Sequence, residues 1–248
     1  MKDKPPRVPR VYVEQALRAG ALLELPEQAA HHALRVLRLR EGDGLTLFDG
    51  RGGEWGATVA SAGRNRLAAS IGAWRDVERE SPLRVTLVQG VSSGERMDFT
   101  VQKATELGVA TIQPVLTHKS LMKLAGARAS ARVEHWRRVA IAACEQCGRN
   151  RLPEVLALLS LDDYCRATPQ GMRLLLSPDA PRRLGSVAAR SDAPLTLAAG
   201  PEAGFSAAED AMLVAVGFVP VSLGPRVLRT ESVAPAALAA LAALAGEF

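Results

Sequence analysis

Apolar and polar residues alternate through Leu45-Thr46-Leu47-Phe48 and again through Glu54-Trp55-Gly56-Ala57-Thr58-Val59. Asp49-Gly50 lies between the two runs, so the pattern predicts a β-hairpin. Arg10–Val13 and Leu67–Ile71 read as further short strands, and Pro26–Arg40 as a helix with Ala30, Leu34 and Leu37 on one face. Residues 1–78 are therefore expected to form a small β-barrel, followed by the charged, Pro-broken stretch Glu78–Pro82. From Leu83 the texture changes. Buried-type strands are predicted at 83–89, 109–116, 172–176, 195–199 and 218–223. Helices are predicted at 97–107 (closed by Gly108), 130–147 (closed by Gly148), from a Ser206/Glu209 capping box, and at 236–244. Strands alternating with helices predict a mostly parallel α/β sheet over 79–248, covered on both faces.

At 248 residues, with 48% hydrophobic and 23% charged, the chain has ample material for a core. No apolar run approaches a membrane span, and Met1–Pro6 lacks the apolar stretch of a signal peptide, so a cytoplasmic protein is expected. Three cysteines make no disulfide framework. Cys144 and Cys147 have CxxC spacing, but no second Cys/His pair completes a structural zinc site, and no metal is expected. The net charge of +5 is unevenly spread: Lys and Arg against Asp and Glu number 13 to 11 in 1–80, 11 to 5 in 81–153 and 7 to 10 in 154–248. A basic middle suits a polyanion, and it equally suits a solvated basic face.

In an open α/β sheet, ligands bind beyond the carboxyl ends of the strands. Two such ends carry unusual loops, Gly200-Pro201-Glu202-Ala203-Gly204-Phe205-Ser206 and Gly224-Pro225-Arg226-Val227-Leu228-Arg229-Thr230-Glu231. Glycines there let backbone approach a ligand, so that amides and carbonyls can read an adenine edge. Neither loop is the dinucleotide GxGxxG or the phosphate-binding GxxxxGK[ST], which disfavours a nicotinamide dehydrogenase or a nucleotide triphosphatase.

These two loops resemble those of the bacterial 16S ribosomal RNA uridine-N3 methyltransferases, in the SPOUT or trefoil-knot superfamily. Arg96–Phe99 with Gln102–Gly108, Glu145–Arg149, and His32, Leu34–Leu39 and Gly42-Asp43 are similar to further motifs of that family, in the same order. The resemblance implies an N-terminal PUA-like barrel that binds RNA, a knotted C-terminal α/β domain, a homodimer, and S-adenosylmethionine as methyl donor. The substrate it implies is 16S ribosomal RNA or the small ribosomal subunit. Cofactor contacts are then expected from Ala199, Gly200, Pro201, Glu202, Gly204, Ser222, Leu223, Gly224, Leu228, Arg229 and Thr230. The chain departs from the family pattern at Ala203 (commonly Gly), at Ser93 (usually Lys) and at Ser232-Val233 (commonly Thr-Ala).

Methylating uracil N3 requires loss of its proton, so a base or a cation that stabilises the uracil anion is wanted. Glu231 and Glu145 are candidate proton acceptors, and Arg149, Arg226 and Arg229 candidate donors to phosphate or to the developing charge. RNA contacts are expected at Arg10, Arg35, Arg38, Arg96, Lys103, Arg149, Arg151 and Arg226. Bland readings stand beside these: Glu231 as a partner of the last helix's N-terminus, Arg149 and Arg151 as paired surface charges, and Trp55 and Trp74 as barrel core. Two other functions fit the same fold, ribose 2′-O methylation of RNA and a non-catalytic RNA-binding assembly factor.

Overall fold

The computed structural model describes residues 8–120, 124–167, 171–187 and 194–248; the Met1–Pro6 stretch lies outside them. The chain divides into two compact units. The first holds residues up to 80 together with 144–152, and the second holds 81–143 and 153–248.

In the first unit, β1 (Arg10–Tyr12), β2 (Leu22–Glu24), β3 (Gly44–Phe48), β4 (Glu54–Ala62) and β5 (Leu67–Arg75) form one sheet in the order β1-β3-β4-β5-β2. The predicted hairpin is present: β3 and β4 pair antiparallel, with Leu47 opposite Trp55. Alternation buries Leu45, Leu47, Val59, Leu67, Ala69 and Ile71 in one core with Val11 and Ala30. The helix expected over 26–40 is shorter. α1 (Glu27–His31) runs into a π-helical turn over His32–Val36, and Arg38 takes a left-handed φ of 56°. Trp74 is not core. It is 49% exposed, and its ring packs so close to Gly53 that a Cβ there would meet Nε1 at 2.4 Å.

The second unit is built on β6 (Val85–Gly90), β7 (Thr111–Leu116), β8 (Glu154–Val155), β9 (Leu159–Ser160), β10 (Met172–Leu176), β11 (Leu195–Ala199) and β12 (Val219–Val221). Every pairing is parallel, in the order β12-β10-β11-β6-β7-β8, with β9 also on β7. The period of two splits each strand between two cores. Leu87, Ile112, Leu174 and Leu197 face one of them, which is filled from α2 (Gly94–Glu106), α3 (Gly126–Cys147), α5 (Leu184–Val187) and α7 (Thr230–Leu244). Val88, Val115, Leu175 and Ala198 face the other, filled from α4 (Leu161–Arg166) and α6 (Ala207–Ala215).

α7 starts at Thr230 rather than at 236. Pro235 lies inside it and removes one intrahelical bond without ending the helix, because Ala234, Ala237, Leu238 and Leu241 are all buried in the core. α7 follows edge strand β12 directly yet packs on α2 and β11, so the chain returns across the sheet after its last strand. That return draws the loops after β11 and β12 together. Among the described residues no helix is long and apolar enough to cross a membrane.

Candidate functional site

The loop after β11 is tightly wound. Gly204 has φ +66° and its amide donates to Pro201 O at 2.8 Å. A Cβ on Gly200 would meet the Phe205 amide nitrogen at 2.9 Å, so only glycine permits this turn. The loop after β12 joins it through one bond: Thr230 Oγ1 donates to Gly200 O at 2.8 Å. Gln89, wholly buried at the end of β6, donates through Nε2 to Gly200 O at 3.3 Å and to Ala199 O at 3.4 Å.

Beside these loops, Leu176, Ser177, Pro178, Val221, Leu223, Gly224, Arg226, Val227, Leu228 and Val233 line a narrow cleft that opens to solvent. Gly224 has φ +136°, and a Cβ there would project into open space. Apolar walls with glycine backbone at the rim suit a planar, largely apolar group read through main-chain atoms. The adenine ring of S-adenosylmethionine is planar, with an edge that main-chain atoms can read, so the residues present fit it. Ser222, between the lining residues Val221 and Leu223, does not itself line the cleft: it is 2% exposed, its hydroxyl donating to Arg182 O. Arg229 is the N-cap of α7.

Three expected site residues meet on one side of this arrangement. Arg96 Nη1 lies 3.1 Å from Glu202 Oε1, and Arg96 Nε lies 3.9 Å from Glu231 Oε2. Glu202 Oε1 also accepts from the Ser93 amide at 2.7 Å and the Ser93 hydroxyl at 2.6 Å. Burial alone would raise the Glu202 carboxyl. The Ser93 bonds and the Arg96 guanidinium outweigh that and bring it down to about 2. Lys103 pairs with Glu106 at 2.8 Å and lies 5.8 Å from the centroid of the Phe99 ring.

The remaining candidates belong to the first unit. Arg149 is 3% exposed and forks onto Glu80, with Nε 3.1 Å from Oε1. The Arg10 guanidinium is buried between Glu54 and Asn150 and stacks over the Phe48 ring. Both side chains are themselves buried and engaged, Arg10 by the buried Glu54 and Asn150 and Arg149 by the half-buried Glu80. Arg151 is more open and bonds Glu78 at 2.6 Å. Glu145 accepts from the Tyr12 amide at 3.0 Å; burial pushes its carboxyl up, against the pull of that amide, His32 and Arg10. Arg35 lines a surface groove with His31, Leu34 and Arg64, and Arg38 is exposed close by in sequence. Burial pushes the Cys144 thiol up to about 12, so it stays protonated.

Sequence reasoning missed Gln89, Gly90 and the part played by Ser93. A Cβ on Gly90 would lie 2.5 Å from Pro201 Cδ, so β6 ends flush against the glycine-rich loop. A glutamine closing an otherwise apolar parallel strand was a visible signal, because a buried amide needs partners.

Known proteins carry the same architecture. A family model described as an RNA methyltransferase domain matches residues 79–244, and one described as an RNA methyltransferase PUA domain matches 25–72. A ribosomal RNA small subunit methyltransferase E of Buchnera aphidicola is 30% identical over 236 residues, covering 95% of this chain and 96% of its own. The protein of that name from Mycobacterium tuberculosis is 33% identical over 242 residues, covering 94% and 90%. Among solved structures, a Legionella pneumophila methyltransferase in complex with S-adenosylmethionine superposes with a TM-score of 0.91 at 38% identity, covering 96% of this chain and 98% of that one. The Neisseria gonorrhoeae ribosomal RNA small subunit methyltransferase E, bound to the same molecule, gives 0.88 at 37% identity with the same coverage. A PUA-like N-terminal domain and a SPOUT C-terminal domain, as expected from the two loops, are therefore the fold of this protein. The chain belongs to the ribosomal RNA small subunit methyltransferase E family of SPOUT methyltransferases.

Proposed function

We propose that this chain methylates N3 of a uridine in 16S ribosomal RNA with S-adenosylmethionine as donor. The observation that carries the reading is the Thr230–Gly200 bond, which closes two glycine-bearing loops beside an apolar cleft. The names and bound cofactor of the relatives support it. Gly200, Pro201, Gly204, Leu223, Gly224 and Leu228 would hold the adenosyl group with main-chain atoms and apolar contact. When bound, the cofactor supplies a methyl already activated on a sulfonium.

The chain's own work is then alignment and proton removal, the first worth roughly 7–11 kcal/mol at best. Of the two candidate acceptors, Glu231 is favoured for the N3 proton. It adjoins Thr230 in the first turn of α7, and its Oε2 is buried with no hydrogen-bond donor, 3.9 Å from Arg96 Nε. Arg226, on the rim of the cleft, would stabilise charge developing on the uracil oxygens or hold a neighbouring phosphate. In this reading Arg35, Arg38 and Arg64 on the PUA-like unit contact the RNA backbone, and the active species is a homodimer, which light scattering after gel filtration checks.

Tritiated methyl transfer to ribosomal RNA from cells lacking the enzyme tests the function, with free RNA and assembled small subunits offered separately. Mass spectrometry of the product should place the mark on a uracil base. A mark on the ribose would assign 2′-O chemistry instead. Glu231→Gln should lower the single-turnover rate by roughly 10²- to 10⁴-fold while cofactor binding persists.

A further inference from the structure

Among the described residues the Gly200–Gly204 loop is held at three points, one of which depends on a carboxylate. At its start, Thr230 and Gln89 hold the carbonyl of Gly200. At its far end, Lys119 Nζ donates to Ala203 O at 3.3 Å and Phe205 O at 3.4 Å. Between them, Glu202 reaches the turn between β6 and α2, where three donors converge on its Oε1.

Ser93 is the N-cap residue of α2, a position where a serine hydroxyl normally accepts from the first-turn amides. Here its side chain makes no such bond, and the hydroxyl points its proton at Glu202 instead. A helix cap has been diverted to hold a loop that belongs to another strand.

We propose that Glu202, with Ser93 and Arg96, is a positioning device: it fixes the loop in the shape that receives the cofactor without itself touching the cofactor. The inference rests on the reading of this cleft as the S-adenosylmethionine site. A preformed loop spares the ligand the ordering cost of binding, and its loss weakens affinity while leaving the chemical step alone.

The test uses the full chain as wild type, Ser93→Ala, Glu202→Ala and the double variant. Titration calorimetry with S-adenosylmethionine reads affinity, and amide hydrogen exchange on residues 200–206 of the ligand-free protein reads the loop directly. Glu202→Ala should weaken binding roughly tenfold and Ser93→Ala, which leaves the Ser93 amide and Arg96 on Glu202, roughly fivefold, the range expected when one net hydrogen bond is lost. The double variant should be no weaker than Glu202→Ala, since both changes break one device. Loop exchange should speed in all three, with kcat at saturating cofactor retained in Ser93→Ala, where Glu202 still engages Arg96 beside Glu231. The Tm of ligand-free Ser93→Ala should fall by no more than the loss of its one bond to Glu202, because the hydroxyl caps no amide of α2.

Ser93→Ala binding like wild type while Glu202→Ala does not would show Glu202 touching the cofactor, and would overturn the proposal. Additive losses, or loop exchange unaffected by either change, would overturn it too. A wild type that gives no heat, with loop exchange still responding to the variants, would leave the device standing and remove the cofactor reading.

Discussion

Thr230 Oγ1 donates to the carbonyl of Gly200 across thirty positions of sequence, at 2.8 Å. Thr230 is also the first residue of α7, so the helix that returns across the sheet begins at the point where the two loops join. Thr230→Val keeps the shape and removes the donor. One net hydrogen bond is worth about 1 kcal/mol, so affinity for S-adenosylmethionine should fall roughly fivefold with the fold intact, as read by calorimetry and circular dichroism.

Gly90 is the steric counterpart of that bond. Gly90→Ala would place a methyl 2.8 Å from the Pro201 backbone nitrogen, and backbone cannot swing aside as a flexible side chain can. The loop must shift, and cofactor affinity should fall at least roughly tenfold, more than for Thr230→Val, since about 1–3 kcal/mol of overpacking is at stake. Equal affinities for Gly90→Ala and wild type would mean that the cofactor does not use this loop.

In the PUA-like unit the prediction concerns stability. Glu54 is 4% exposed and accepts from Arg10, with Arg75 and Arg79 beside it. Glu54→Ala strands a buried guanidinium and should cost about 3–5 kcal/mol by urea denaturation. Arg66→Ala, which breaks the exposed pair with Glu24, should cost about 0–1 kcal/mol.

Two carboxylates give a signed pH dependence. Burial would raise both. The Arg10 hydrogen bond and the charges of Arg10, Arg75 and Arg79 take Glu54 below the ordinary 4.5, and the Ser93 bonds with Arg96 take Glu202 to about 2. Groups lowered on folding stabilise above their unfolded value and lose that contribution as pH falls through the folded one. The stability gap between wild type and Glu202→Gln should therefore be full above about pH 5 and close toward pH 2, as read from urea midpoints across that range.

Much of this was legible in the residues. The Asp49-Gly50 hairpin, the Ser206/Glu209 capping box with both its bonds, and the strands at 172–176 and 195–199 follow from alternation and cap chemistry, which act locally. The two loops were legible as glycine-bearing strand ends, and their family through order and spacing. Short elements such as β8, β9 and α4 were not, because two to six residues carry no period. The start of α7 was hidden by Pro235, whose local preference is overridden by core burial on both sides of it. Glu202 gave no sign of its bond to Ser93, since that contact spans 109 positions and exists only once β11 lies beside β6.

A crystal structure of the chain with S-adenosylmethionine, refined to show the adenosyl ring, tests the central claim most directly. The ring should lie in the cleft lined by Leu223, Gly224 and Leu228, in contact with main-chain atoms of 199–204 and with the Thr230–Gly200 bond intact. An adenosyl group bound elsewhere, or a cleft left empty at saturating cofactor, would contradict it.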